Sequence, residues 1–248
     1  MHRSIVLILA LLAVSAHCGR SDGPHLASGI KIGEVTQNSA IVWARLTVDR
    51  EGDPQSPDQA APGEEGYVSV SYESKAAGDR PKLVGPHPVN PDADFTIQIP
   101  LSGLHPGADY ELTVYGHDEE GSLTSSLDGR FRTPPSPETT APVRGVIVTC
   151  QGIGTTDHPQ KGHRVYDDIL KAGPDFFVHT GDVVYYDNDE GGLQPLSKNA
   201  TMARQRWNRM FAFEWNQEFH RHVSSYYLKD DHDTLKNDCW PGQTYGEL

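Results

Sequence analysis

The chain has 248 residues, 36% of them hydrophobic, and a formal net charge of −13. That length and composition suit one large or two modest globular units and exclude a disordered chain. The acidic balance excludes a broad nucleic-acid-binding surface, and an anionic substrate would need bound cations to offset the repulsion.

The first element in chain order is an address. Arg3 supplies a positive start, residues 5–14 (IVLILALLAV) are an apolar run, and Val14, Ser15 and Ala16 give the small-residue pattern that a signal peptidase accepts. Residues 1–16 are therefore read as a signal peptide, and the mature protein as exported: periplasmic, cell-surface or extracellular. A lipid anchor at Cys18 is the weaker alternative, because His17 stands where attachment boxes carry Gly or Ala. No later segment approaches about 18 uninterrupted apolar residues, so no transmembrane segment is expected. Cys18, Cys150 and Cys239 are too few for a disulfide scaffold, although a Cys150–Cys239 bridge would suit an oxidising compartment.

Residues 25–133 hold short β-rich runs, IKIGEV, SAIVWARLTV, GYVSVSYES, DFTIQIPL, DYELTVYGHD and GRFRTPP, separated by Gly, Pro, Asp and Asn clusters. Such spacing predicts a small all-β sandwich. Within residues 104–114 (LHPGADYELTV), Leu, Pro-Gly and then Tyr head an alternating strand. This resembles the corner of a fibronectin type III domain and implies that the Tyr110 hydroxyl bonds back to the turn. Trp43, inside an alternating strand, is read as core. Residues 49–66, acidic and rich in Pro and Gly, are expected as a long exposed loop, and 134–142 as a proline-stiffened linker.

The pattern changes over 143–248. Residues 143–150 (VRGVIVTC) predict a buried strand, 162–172 a helix, 175–184 another buried strand, 200–223 an amphipathic helix or pair of helices, and 225–229 a third short strand. This is an α/β layout with a mostly parallel sheet. Each strand ends in polar residues: Cys150 and Gln151, then Gly181 and Asp182 with Tyr185, then Asp230, Asp231, His232 and Asp233. In open α/β sheets ligands bind beyond the strands' carboxyl ends, so three parallel strands would gather these clusters on one rim. Each cluster also has a plain structural reading, Cys150 as a small buried hydrophobe and the acids as turns. Coincidence at three successive strand ends favours metal ions, since clustered carboxylates repel without a cation. Carboxylates suit calcium or manganese, whereas a thiolate and a phenolate suit a more acidic metal such as iron. His232 beside this set could protonate a leaving group or hold a phosphate. His179 and the acids 187–190 are read as packing and solvation.

The motifs TCQ (149–151), HTGDVVYYDND (179–189) and KDDHDTLKND (229–238), behind a segment containing GIKIGEVTQNSAIVWARL, resemble the alkaline phosphatase D type of metallophosphoesterase. That resemblance implies a fibronectin type III-like sandwich followed by an α/β metallophosphatase-like domain. It also implies iron and calcium in a binuclear or mixed site, with manganese or zinc compatible. Cys150, a bridging Asp182, Tyr185, Asp231 and Asn237 would be the ligands, with Asp182 and His232 carrying catalysis. The expected reaction is hydrolysis of phosphate mono- or diesters by water activated between two metals. Lys236 precedes Asn237 where the family often shows paired Asn. The family's catalytic domain continues past the third motif, so 143–248 is expected to hold its N-terminal half. The competing reading is an exported β-sandwich binding module with a degenerate α/β remnant. Partner proteins and the particular ester are not encoded in any motif.

Overall fold

The computed structural model describes residues 23–50, 61–74, 80–188 and 196–240. The expected signal peptide at 1–16, Cys18, much of the loop at 49–66, the acids Asp189 and Glu190, and 241–248 lie outside the described residues. Among the described residues no helix is long and apolar enough to cross a membrane.

The N-terminal part is a two-sheet sandwich. Strands β1 (Ile30–Gly33), β2 (Ser39–Arg45) and β5 (Thr96–Ser102) form one antiparallel sheet in the order β1-β2-β5. Strands β3 (Tyr67–Ser74), β4 (Lys82–Pro88), β6 (Asp109–His117) and β7 (Leu123–Arg132) form the other in the order β4-β3-β6-β7. Period-2 alternation drives this: Val42, Val68, Val70, Ile99, Leu112 and Val114 point between the sheets and are almost fully buried. The Tyr110 hydroxyl accepts from the His105 N–H at 2.8 Å, as the corner resemblance implied, and its ring stacks on Phe131 at 5.1 Å.

Two expectations are corrected here. Strand β4 was not predicted, because Gly85, Pro86 and Pro88 lie in it; it forms at the sheet edge, where missing N–H donors are tolerated. Trp43 is not sandwich core. Its neighbours Val42 and Ala44 point inward, so Trp43 faces outward, where it meets Phe211 at a ring separation of 6.0 Å.

After an irregular stretch over 134–142, strands β8 (Gly145–Val148), β9 (Phe176–His179) and β10 (Ser224–Tyr227) form a parallel sheet in the order β10-β9-β8. Helix α1 (Val165–Ala172) joins β8 to β9, and α2 (Ala200–Phe211) with α3 (Glu214–His220) joins β9 to β10. Helix α1 carries Asp167 and Asp168 in its first turn and Lys171 in its last, then stops at the left-handed Gly173. The Asn199 side chain caps α2 by accepting from Met202 N at 2.9 Å. Phe177, Phe219, Tyr166 and Val223 bury one face of the sheet against the helices. Each fully buried Phe contributes roughly 1.5–3 kcal/mol. Strand β8 is not the buried strand expected: it lies at the sheet edge with Ile147 69% exposed.

The two parts are clamped together. Arg130 N donates to Arg221 O at 2.9 Å, the Arg221 guanidinium to Asp128 O at 2.9 Å, and Gln217 Nε2 to Ala27 O at 3.0 Å. Val35 N donates to the Tyr226 hydroxyl at 3.1 Å, tying the chain after β1 to β10.

Candidate metal centre

Parallel pairing of β8, β9 and β10 brings their carboxyl ends to one rim. Backbone bonds lock that rim: Cys150 N donates to Gly181 O at 3.1 Å and Gln151 N to Asp182 O at 2.9 Å. Cys150 and Asp182 both take left-handed backbone, with φ of 55° and 56°. Such conformations cost about 1–3 kcal/mol in a non-glycine residue and persist where surrounding structure imposes them, commonly at functional sites. Gly181, at φ 119°, has no alternative: a Cβ there would lie 2.4 Å from Asp230 Cβ.

Asp182 is the hub. Cys150 Sγ lies 3.4 Å from Asp182 Oδ2, while Oδ1 is buried and has no hydrogen-bond partner among the described residues. An orphaned buried carboxylate oxygen is costly unless something outside the chain satisfies it. Burial pushes the Asp182 carboxyl up; the Cys150 hydrogen bond and the His232 charge oppose this, and Asp231 and Asp230 add to it. One donor atom each from Asp182, Asp231 and His232 lie within 4.8 Å of one another. The Asp231 oxygens accept from the His232 and Asp238 backbone N–H groups, each retaining a second lone pair.

His232 is oriented from behind. Its Nδ1 bonds Asp187 Oδ1 at 2.7 Å, and since an ionised carboxylate only accepts, Nδ1 carries the proton and Nε2 is left for the rim. Burial pulls His232 down, but the Asp187 hydrogen bond and the charges of Asp187, Asp182 and Asp231 outweigh it and raise its pKa. The Tyr185 ring lies 4.4 Å from the His232 ring. Beneath these, Asp233 is fully buried and accepts from Asp182 N at 2.6 Å, Val184 N at 2.8 Å and Asp230 N at 3.2 Å. It fixes the β9 turn to the β10 turn.

Of the residues singled out from sequence, Cys150, Asp182, Tyr185, Asp231 and His232 come together. Asn237 is placed differently: its backbone N–H donates to Asp187 Oδ2 at 2.7 Å and its side-chain amide to Asp238. Cys150 and Cys239 are free thiols, so the bridge is not made; Cys239 Sγ instead donates to Asp231 O. Asp187 was read as solvation and is corrected: it is the partner of His232. Asp233, inside a run of four acidic or basic residues, could not be told apart from its neighbours by spacing. His179 is buried as expected, stacked on Tyr227 at 6.2 Å and 17°. Burial, helped by the His163 charge, lowers its pKa to about 4.

The residues fit a metal. Asp182 Oδ1, without a partner among the described residues, and the clustered Asp182, Asp231 and His232 donor atoms are of the types that hold a hard or borderline cation, with the Cys150 thiol beside Asp182.

The PhoD-like phosphatase, N-terminal domain, matches residues 13–135. The structure of PhoD superposes with a TM-score of 0.66 at 17% identity, covering 89% of this chain and 42% of that one. The purple acid phosphatase PPD1 from yellow lupin (Lupinus luteus) seeds superposes with a TM-score of 0.53 at 13% identity, covering 86% of this chain and 36% of that one. No curated protein matches the sequence. Residues 13–135 match the N-terminal domain of PhoD-like phosphatases, and the chain spans less than half the length of the PhoD chain it superposes on.

Proposed function

We propose that the chain is the N-terminal part of an exported, metal-dependent hydrolase of phosphate mono- or diesters, and that its parallel sheet begins an α/β metallophosphoesterase domain. The observation that carries this reading is Asp182: a buried carboxylate at the meeting point of three strand ends, with one oxygen on Cys150 and the other unpartnered among the described residues. Asp182, Cys150, Asp231 and Tyr185 would hold the metals, for which the mixed donor set suggests iron and calcium. Asn237 would join them only by turning its amide away from Asp238. When bound, the ions would supply charge neutralisation for the phosphoryl group and acidify water.

The chain's own residues then do the following. Asp187 holds the His232 ring by Nδ1. That bond leaves Nε2 facing the rim, where the protonated ring can bond a phosphoryl oxygen or give its proton to the leaving alkoxide. Asp233 braces both turns so that His232 and Asp182 keep their separation. The intact rim does not favour the alternative of a degenerate remnant behind a binding module.

The test is hydrolysis of 4-nitrophenyl phosphate and its bis-ester by protein carrying the remainder of the PhoD length. Asp182→Asn is expected to lower the rate by about 10² or more. Equal rates from the variant and the parent would overturn the assignment.

A further inference from the structure

We propose a second ligand site, away from the rim, in the cleft between the outer face of β1-β2-β5 and the elements α2 and β10, built for a small aromatic carboxylate. It goes beyond the phosphoesterase reading and does not depend on it. The cleft encloses about 660 Å³, within the usual range for a small-molecule site.

Its floor is a single cross-strand row. Pairing places Lys31 opposite Trp43 and Trp43 opposite Gln98, and all three point out of the sandwich. Trp207, Phe211 and Tyr226 supply the facing wall. Aromatic walls about this volume suit a flat apolar body.

Lys31 supplies the specificity. It stands between the fully buried Ile30 and Ile32, and is itself only 8% exposed. Its Nζ donates to Ser28 O at 3.1 Å and lies 3.7 Å from the Phe211 ring centre and 4.6 Å from that of Trp43. Among the described residues no carboxylate forms an ion pair with it. A lysine needs an anion when desolvated, and two ring faces replace only part of that interaction. Of the two carboxylates on the cleft wall, Asp94 is already engaged by Arg45 at 3.0 Å and Asn208 at 2.6 Å, and Glu34 is exposed. Arg204, bonded to Asp92 O, adds a second positive charge to the lining. Burial holds the Lys31 pKa well below its ordinary value, so a carboxylate seated beside Nζ would restore the charged form, and with Arg204 on the same lining this favours a carboxylate attached to a ring.

Calorimetric titration of the chain with 2-naphthoate and with the neutral 2-naphthylmethanol tests this. Naphthoate is expected to bind more tightly, and Lys31→Met to weaken it by about tenfold or more while leaving the alcohol within about twofold. Gln98→Phe, which crowds the floor from an exposed position, is expected to weaken both ligands. It reads out the location should Lys31→Met fold poorly. Equal affinity for acid and alcohol in the parent, no binding of either, or naphthoate binding unchanged in Gln98→Phe would overturn the proposal.

Discussion

At the scale of single residues, the site is built by giving similar groups different surroundings. Asp233 is sealed and spends its carboxylate on three backbone N–H groups, whereas Asp182 keeps one oxygen unspent. His232 is drawn towards its charged form by Asp187, and His179 towards its neutral form by burial. Asp187→Asn is expected to lower hydrolysis by about 10- to 100-fold, the usual effect of losing an orienting partner, with kcat falling more than KM rises. Steady-state kinetics on the variant check it. His179 has a pH consequence of known sign. Its folded pKa of about 4 lies below the unfolded value of about 6.5. The unfolded chain therefore takes up the proton first, and stability is lost as pH falls from about 6.5 towards 4, at up to about 1.4 kcal/mol per pH unit. Urea midpoints across that window should fall with pH, and His179→Phe should flatten the slope. The rim residues were legible because GD and DDHD sit at strand ends. Asp187 was not, since an acid among acids announces its partner only once the chain has turned.

At the scale of elements, strand periodicity and strand ends carried most of the information. Strands β2, β3 and β6 alternate cleanly and formed where alternation placed them, and α2 and α3 took the paired form because Phe213 is extended between them. Strand β4 was illegible for the opposite reason: its prolines are compatible only with an edge, which is a property of the finished sheet. Burial of β8 was misread because β-branched residues suit an exposed edge strand as well as a central one. The turn after β9 is the element on which the rim depends. Gly181→Ala is expected to destabilise by about 1–3 kcal/mol, because its Cβ would strike Asp230 and its φ is left-handed. A lowered urea midpoint with an unchanged slope would show it.

At the scale of the whole molecule, two parts of different architecture are joined by hydrogen bonds from α3 and the residues following it to the sandwich, and by an aromatic contact between Trp43 and Phe211. That interface was invisible in the sequence, where the alternation around Trp43 read as that of an ordinary core residue. The acidic balance of −13 was informative, since a chain so charged gathers carboxylates at one rim at a cost that a cation removes. The claim that most needs testing is that the rim binds metal through Asp182. Metal content after equilibrium dialysis against iron, calcium, manganese and zinc, measured by plasma mass spectrometry on the parent and on Asp182→Asn, addresses it directly. The parent should retain bound ion, with affinity falling by about tenfold to a hundredfold or more in Asp182→Asn. The same metal load on both proteins would contradict it.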